Sequence, residues 1–144
     1  MKKSTLTVII LMLIVLGLAI YFAINSRIAS NVASEENRYY QQLLEKEITG
    51  TELSSVINKV IDSNKKNELS LDDKKMYIEN DSNSIVIEIN FKYEDGIKTI
   101  RGEKIFNGEV RNFISYYGTI KFKCTKIEYH DSTKKVKRIY IEEI

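Results

Sequence analysis

The run IVIEINFKYEDGI, residues 85–97, decides the fold. Ile85, Ile87, Ile89, Phe91 and Tyr93 share one parity, while Val86, Glu88, Asn90 and Lys92 share the other. A strand turns successive side chains to opposite faces, so this alternation describes an antiparallel strand with one face buried and one wet. Glu94-Asp95-Gly96 supplies a hairpin turn. The returning strand spans residues 97–106, where Ile97, Ile100, Ile105 and Phe106 fit no single parity. A bulge at Gly102 reconciles them.

Upstream, Asn80-Asp81-Ser82-Asn83 is a turn by composition and Met76 to Glu79 a short strand. Before these comes a well-marked helix start. Thr49-Gly50-Thr51-Glu52 matches a capping box, and Ile48 and Leu53 sit where a hydrophobic staple fixes the entry angle. Leu53, Val56, Ile57, Val60 and Ile61 form an apolar stripe that suits lying across a sheet, and the helix is expected to end near Ser63. Downstream, Asn107 is expected to cap a short helix carrying Val110, Phe113, Ile114 and Tyr117, terminated by Gly118. Ile120, Phe122 and Cys124 share one parity and Ile127 and Tyr129 the other, so the next strand shifts near Thr125. Asp131-Ser132-Thr133-Lys134 then turns it into a last strand, Val136 to Ile144. The order α-α-β-β-β-α-β-β predicts an α+β domain over residues 48–144, a four- to five-stranded antiparallel sheet with helices on one face.

The N-terminal part is of another kind. Residues 5–24, TLTVIILMLIVLGLAIYFAI, contain no charge. As a helix they cover roughly 30 Å, the thickness of a bilayer's hydrocarbon core. A cleavable signal peptide has a shorter apolar core and a small-x-small cleavage site, and neither is found here. The expectation is an uncleaved transmembrane helix. Lys2, Lys3 and the initiator amine precede it while only Arg27 follows closely, so residues 1–4 are placed in the cytoplasm and the rest of the chain outside (N-in, C-out).

Residues 25–47 continue at mainly helical spacing and are read as a stalk. Its stripe, Val32, Tyr39, Tyr40, Leu43 and Leu44, needs cover from the domain or from another stalk and is the candidate interaction surface. From Arg27 onward there are twenty basic and twenty acidic residues, so the chain's formal net charge of +2 belongs to Lys2 and Lys3. A neutral domain has no electrostatic footprint for nucleic acid. The lone Cys124 makes no internal disulfide.

Catalytic chemistry finds little to work with. Cys124 lies among Phe122 and Ile127 and reads as a small buried hydrophobe, and His130 beside Asp131 reads as an ordinary surface residue at a turn. One histidine and one cysteine are a poor start for a zinc site, and no acidic run has the spacing of a calcium loop. No phosphate-binding, nucleophile-elbow or metalloprotease string occurs, and no cofactor is expected. One local feature stands out. Seven basic residues lie between Lys121 and Arg138 against Glu128 and Asp131. Lysines on an exposed strand guard against edge-to-edge aggregation. The same hairpin, through Lys134, Lys135, Lys137 and Arg138, is also a candidate patch for anionic lipid headgroups or wall polymers.

The strings ITGTELSSVINKVIDSN, NSIVIEINF, and FKCTKIEYH followed by IYIEEI resemble single-pass membrane proteins of clostridia-like Gram-positive bacteria, over residues 40–144. That resemblance brings no activity with it. A long N-terminal helix followed by a small sheet is also similar to pilins and pseudopilins. Two departures stand against it: no leader glycine precedes an aromatic residue, and no glutamate lies inside the apolar segment. The expected function is a non-enzymatic, membrane-anchored extracytoplasmic protein. It works by contact with itself or an envelope protein in a cell-envelope or pilus-like secretion assembly. The alternative is a tethered binding or sensing module for an anionic envelope ligand.

Overall fold

A computed structural model describes residues 3–144, with the side chains of Lys3, Ser4, Ala29, Ser30 and Val32 set aside. Its packing divides into two units, one ending at Glu35 and one spanning Glu36–Ile144. The first unit is helix α1, Lys3–Gln41, up to the boundary. Among the described residues it is the one helix long and apolar enough to cross a membrane, and none of its apolar window is buried.

The second unit opens with the last turns of α1 and a 3-10 turn at Gln42–Leu44. The helix was expected to run to residue 47, yet Glu47–Thr49 forms strand β1. Pairing decides this: Ile48 lies opposite Phe122 on β4 (Lys121–Tyr129), and both side chains are buried. Burial of a β-branched residue outweighs the few tenths of a kcal/mol that separate helix propensities. Thr49 then caps α2, Gly50–Lys66, through the expected box. The Thr49 hydroxyl accepts the Glu52 N–H at 3.3 Å, and Glu52 accepts the Thr49 N–H at 2.8 Å. That N–H, with the Thr49 hydroxyl, lowers the Glu52 pKa. The cap's ionic contribution is therefore present at neutral pH and is lost as pH falls through the lowered value. Helix α2 buries the anticipated stripe and runs three residues beyond Ser63, because Asn64 is itself buried in that stripe.

Strands β2 (Val86–Tyr93) and β3 (Gly96–Arg101) form the expected hairpin, with Gly96 at φ +131° where β3 leaves the turn. Strand β4 shifts register between Cys124 and Lys126, and β5 (Val136–Glu143) follows. The sheet order is β1-β4-β5-β2-β3. It is a five-stranded sheet but a mixed one, because β2 and β5 run parallel. The purely antiparallel expectation fails at this pair: β5 returns along β4 and enters the centre of the sheet beside a strand it does not follow in sequence. Ile87, Ile89, Phe91, Phe122, Cys124, Ile139 and Ile141 form one core with the α2 stripe and Phe113.

Three local expectations are corrected. Met76–Glu79 makes only a single bridge, Leu71 to Tyr77, because Asp72 Oδ1 takes the Lys74 and Met76 N–H groups. The strand expected through residue 106 stops at Arg101, and Gly102 opens helix α3, Gly102–Asn107, instead of a bulge. A Cβ on Gly102 would lie 2.3 Å from Ile87 Cγ2, so only glycine lets the turn descend onto β2 and α2 there. Asn107 ends α3 and donates to the Lys75 carbonyl, so it caps nothing. The residue before helix α4, Val110–Tyr117, is Glu109 at φ +67°. A non-glycine residue held there costs on the order of 1–3 kcal/mol. Glu109→Gly is therefore expected to raise stability by about 1 kcal/mol after the added freedom of the unfolded chain, read as a higher urea midpoint at unchanged m.

Candidate functional site

Two residues of the stalk stripe are core. Tyr40 is fully buried and Leu43 is 4 % exposed, both in the same cluster as Val56, Ile57 and Val60. Burial raises the Tyr40 hydroxyl's pKa. Tyr39 is half-buried, edge-on to Tyr40, with Lys59 Nζ 3.5 Å from its ring centroid. Leu44 is exposed, and the Val32 side chain lies outside the described residues. At Tyr40 and Leu43 the stripe is therefore not a free surface. The cover for these two, and for one side of Tyr39, comes from their own domain. Polar residues between these positions tie α1's end down as well. Asn37 donates to the Lys134 carbonyl at 2.8 Å and accepts the Val136 N–H at 3.0 Å, and Glu36 accepts the Ser63 hydroxyl at 2.6 Å. A groove of about 170 Å³ remains between this end and α2, lined by Tyr39, Leu43, Lys46, Glu52 and Val56 among others.

Arg138 stands apart from the three lysines of the basic hairpin. Arg138 points to the open face of the sheet, where it pairs with Glu79 at 2.7 Å and with Glu88. Its charge is met within the fold. Lys134, Lys135 and Lys137 make no ion pair among the described residues. Lys134 sits at φ +58° in the turn, and Lys137 is half-buried beside the register shift at Glu128 and Tyr129. What sequence reasoning missed is the ionic row at the end of the sheet. Arg101 pairs with Glu103 at 2.5 Å and Glu79 at 3.6 Å, and Glu79 passes the contact on to Arg138. Alternation already put Glu88 on the wet face, but nothing local shows that Glu79 and Arg138, 59 residues apart, meet across strand ends.

His130 is buried, not at the surface as its turn position suggested. Its Nε2 lies 2.8 Å from the Ser84 carbonyl and its Nδ1 has no partner. The reason is that the turns 80–84 and 130–135 close on each other: Ser132 donates to the Asp81 carbonyl and Thr133 to the Ser82 carbonyl. Cys124 is buried, and desolvation pushes its thiol up to about 11, away from the thiolate a nucleophile needs. Neither side chain's hydrogen bonds reach the other. Among the described residues no group of three His, Cys, Asp or Glu is placed to hold a metal. No known family matches the chain, and neither does any curated protein or solved structure.

Proposed function

We propose that the protein is a non-enzymatic, single-pass membrane protein whose Glu36–Ile144 unit lies outside the cytoplasm and works by protein–protein contact in an envelope or secretion assembly. One observation carries the reading: an uncharged run from Thr5 to Ile24 forms a helix whose apolar window is wholly exposed. Each large aliphatic side chain gains about 1.5–3 kcal/mol on leaving water. A row of them needs an apolar medium, and hydrocarbon of matching thickness is the one that suits its length. Lys2 and Lys3 before it and Arg27 alone behind it support the outward orientation. The resemblance to single-pass proteins of clostridia-like bacteria belongs to the same proposal. With Tyr40 and Leu43 in the core, the contact surface has to be sought on the sheet and its edges.

Alkaline carbonate washing of membranes is expected to leave the full chain in the pellet, and protease added to intact protoplasts to digest the Glu36–Ile144 unit. Release by carbonate, or a globule that survives the protease, overturns the reading. A second reading, binding of an anionic envelope ligand, draws support from the unpaired Lys134, Lys135 and Lys137 and loses Arg138. It predicts salt-sensitive retention on phosphatidylglycerol vesicles that reversal of those three lysines to glutamate abolishes.

A further inference from the structure

The sheet has two edges, and the chain treats them differently. At one, β1 is three residues long, and the adjoining 3-10 turn and Gln41, which donates to the Tyr129 hydroxyl, flank β4 beyond it. Short edges and covering segments are ordinary protection against strand addition. At the other, β3 offers six residues in unbroken register with β2, and Ile97 is 71 % exposed.

The hairpin fixes which backbone groups face outward. Tyr93 pairs with Gly96 around a two-residue turn, so Gly96, Lys98 and Ile100 point their N–H and C=O groups at β2. Ile97 and Thr99 must then point both groups away from the sheet, and Arg101 its N–H, while the Arg101 carbonyl is taken up as the N-cap of α3. Lys92, the partner of Ile97, shows the same alternation from the other side: its N–H leaves β3 and goes to Glu143 of β5 at 3.0 Å. The side chains of Ile97, Thr99 and Arg101 share the open face, since Thr99 bonds Asn90 there while Ile100 packs toward the core.

We propose that β3 pairs antiparallel with β3 of a second copy of this chain, about a two-fold axis at Thr99, to give a continuous ten-stranded sheet. In that register Thr99 faces Thr99, Ile97 faces Arg101, and about four inter-chain backbone hydrogen bonds form from the outward groups, two at Thr99 and one from each Arg101 N–H. Lys98 falls opposite Ile100, so no like charges meet head-on. Moving the axis to residue 98 gives about as many bonds but sets Lys98 against Lys98, and like charges directly opposite are destabilising. The Thr99 register also covers Ile97 with the Arg101 stem. The pairing stands on the sheet alone and holds whether or not α1 spans a bilayer.

The full chain in detergent is expected to be a dimer by light scattering. Thr99→Pro removes only an outward N–H, so it leaves the β2 ladder intact and should halve the mass. Ile97→Lys changes an exposed side chain and sets a lysine opposite Arg101 of the other copy at both ends of the pairing; it should also yield monomer. Thr99→Cys is expected to give a disulfide dimer under mild oxidation in native membranes, since hydrogen-bonded antiparallel partners lie about 5.5 Å apart at Cα, within disulfide reach. Ile97→Cys should not cross-link, and buried Cys124 adds no background. A wild-type monomer without the Thr99→Cys cross-link, or a dimer that both Thr99→Pro and Ile97→Lys leave intact, overturns the pairing. Neither result touches the membrane reading, which the carbonate and protease experiments decide separately.

Discussion

Replacing Asn64 with leucine is expected to cost about 1–4 kcal/mol, although the two side chains are close in volume and the site is an apolar stripe. Asn64 is fully buried on α2, and its amide donates to the Ile85 carbonyl and accepts the Ile85 N–H, each at 2.8 Å. It supplies the ladder partner that Ile85 lacks, one residue before β2 begins. Leucine would gain transfer energy of about 1.5–3 kcal/mol as an apolar group, but it would leave two backbone groups buried and unpaired. Each such group costs about 1–3 kcal/mol, and the Asn64 amide already fills the space, so the loss wins. Asn64→Asp keeps an acceptor for the N–H and sets an oxygen against the carbonyl; it should be no better than leucine. The measurement is the urea midpoint, with hydrogen exchange at the Ile85 amide as the local readout. A leucine variant within about 0.5 kcal/mol of wild type would mean that the bidentate contact contributes nothing.

The same residue shows where the sequence stops being legible. Leu53, Val56, Ile57, Val60 and Ile61 reveal the helix through their spacing, and Ile85 to Phe91 reveal the strand through theirs, because both patterns are periodic and local. Asn64 continues the helical spacing but is polar, so it read as part of a solvated end. Its partner lies 21 residues away, and only the packed structure pairs them. The parallel contact of β2 with β5 was hidden for a related reason. Alternating strands announce a buried face but not the order in which they lie side by side. Gly102 and Ile48 carried signals that pointed the wrong way. A glycine in a strand-like run reads as a bulge when its real reason is contact with Ile87, and an isoleucine after a helical run reads as helix when its real reason is Phe122.

The candidate surfaces were legible as chemistry and not as geometry. The stripe from Tyr39 to Leu44 reads as apolar, yet periodicity cannot say whether its cover is another chain or the domain itself. Tyr40 and Leu43 went to the domain. Arg138 was counted with Lys134, Lys135 and Lys137 because it adjoins them, and sequence proximity conceals that it crosses the sheet end to Glu79 and Glu88. The β3 edge was present in the sequence only as an ordinary strand. Its outward backbone follows from the two-residue turn combined with its place in the strand order, and the second of these is not a local property.

Arg101→Met is expected to cost about 3–5 kcal/mol, because it strands the carboxylate of Glu103 in the interior. Glu103 is 1 % exposed and stands one residue past the glycine that starts α3. Arg101 reaches it through Nη2 at 2.5 Å and Nε at 3.3 Å, and no other side chain donates to it among the described hydrogen bonds. An ion pair at this depth adds little net stability, since desolvating both partners offsets most of their attraction, whereas removing one partner leaves the full penalty on the other. The double variant Arg101→Met with Glu103→Leu should therefore recover most of the loss and fall within about 1–2 kcal/mol of wild type, a coupling far outside additivity. The cycle is read from urea midpoints of the four proteins. Arg101 also belongs to the edge proposed to pair with a second copy, so the cycle should be repeated in the Thr99→Pro background. An intramolecular Arg101–Glu103 contact gives the same coupling there. Additive single losses in both backgrounds would show that Glu103 is not held by Arg101 and that the turn from β3 into α3 is fixed by Gly102 alone.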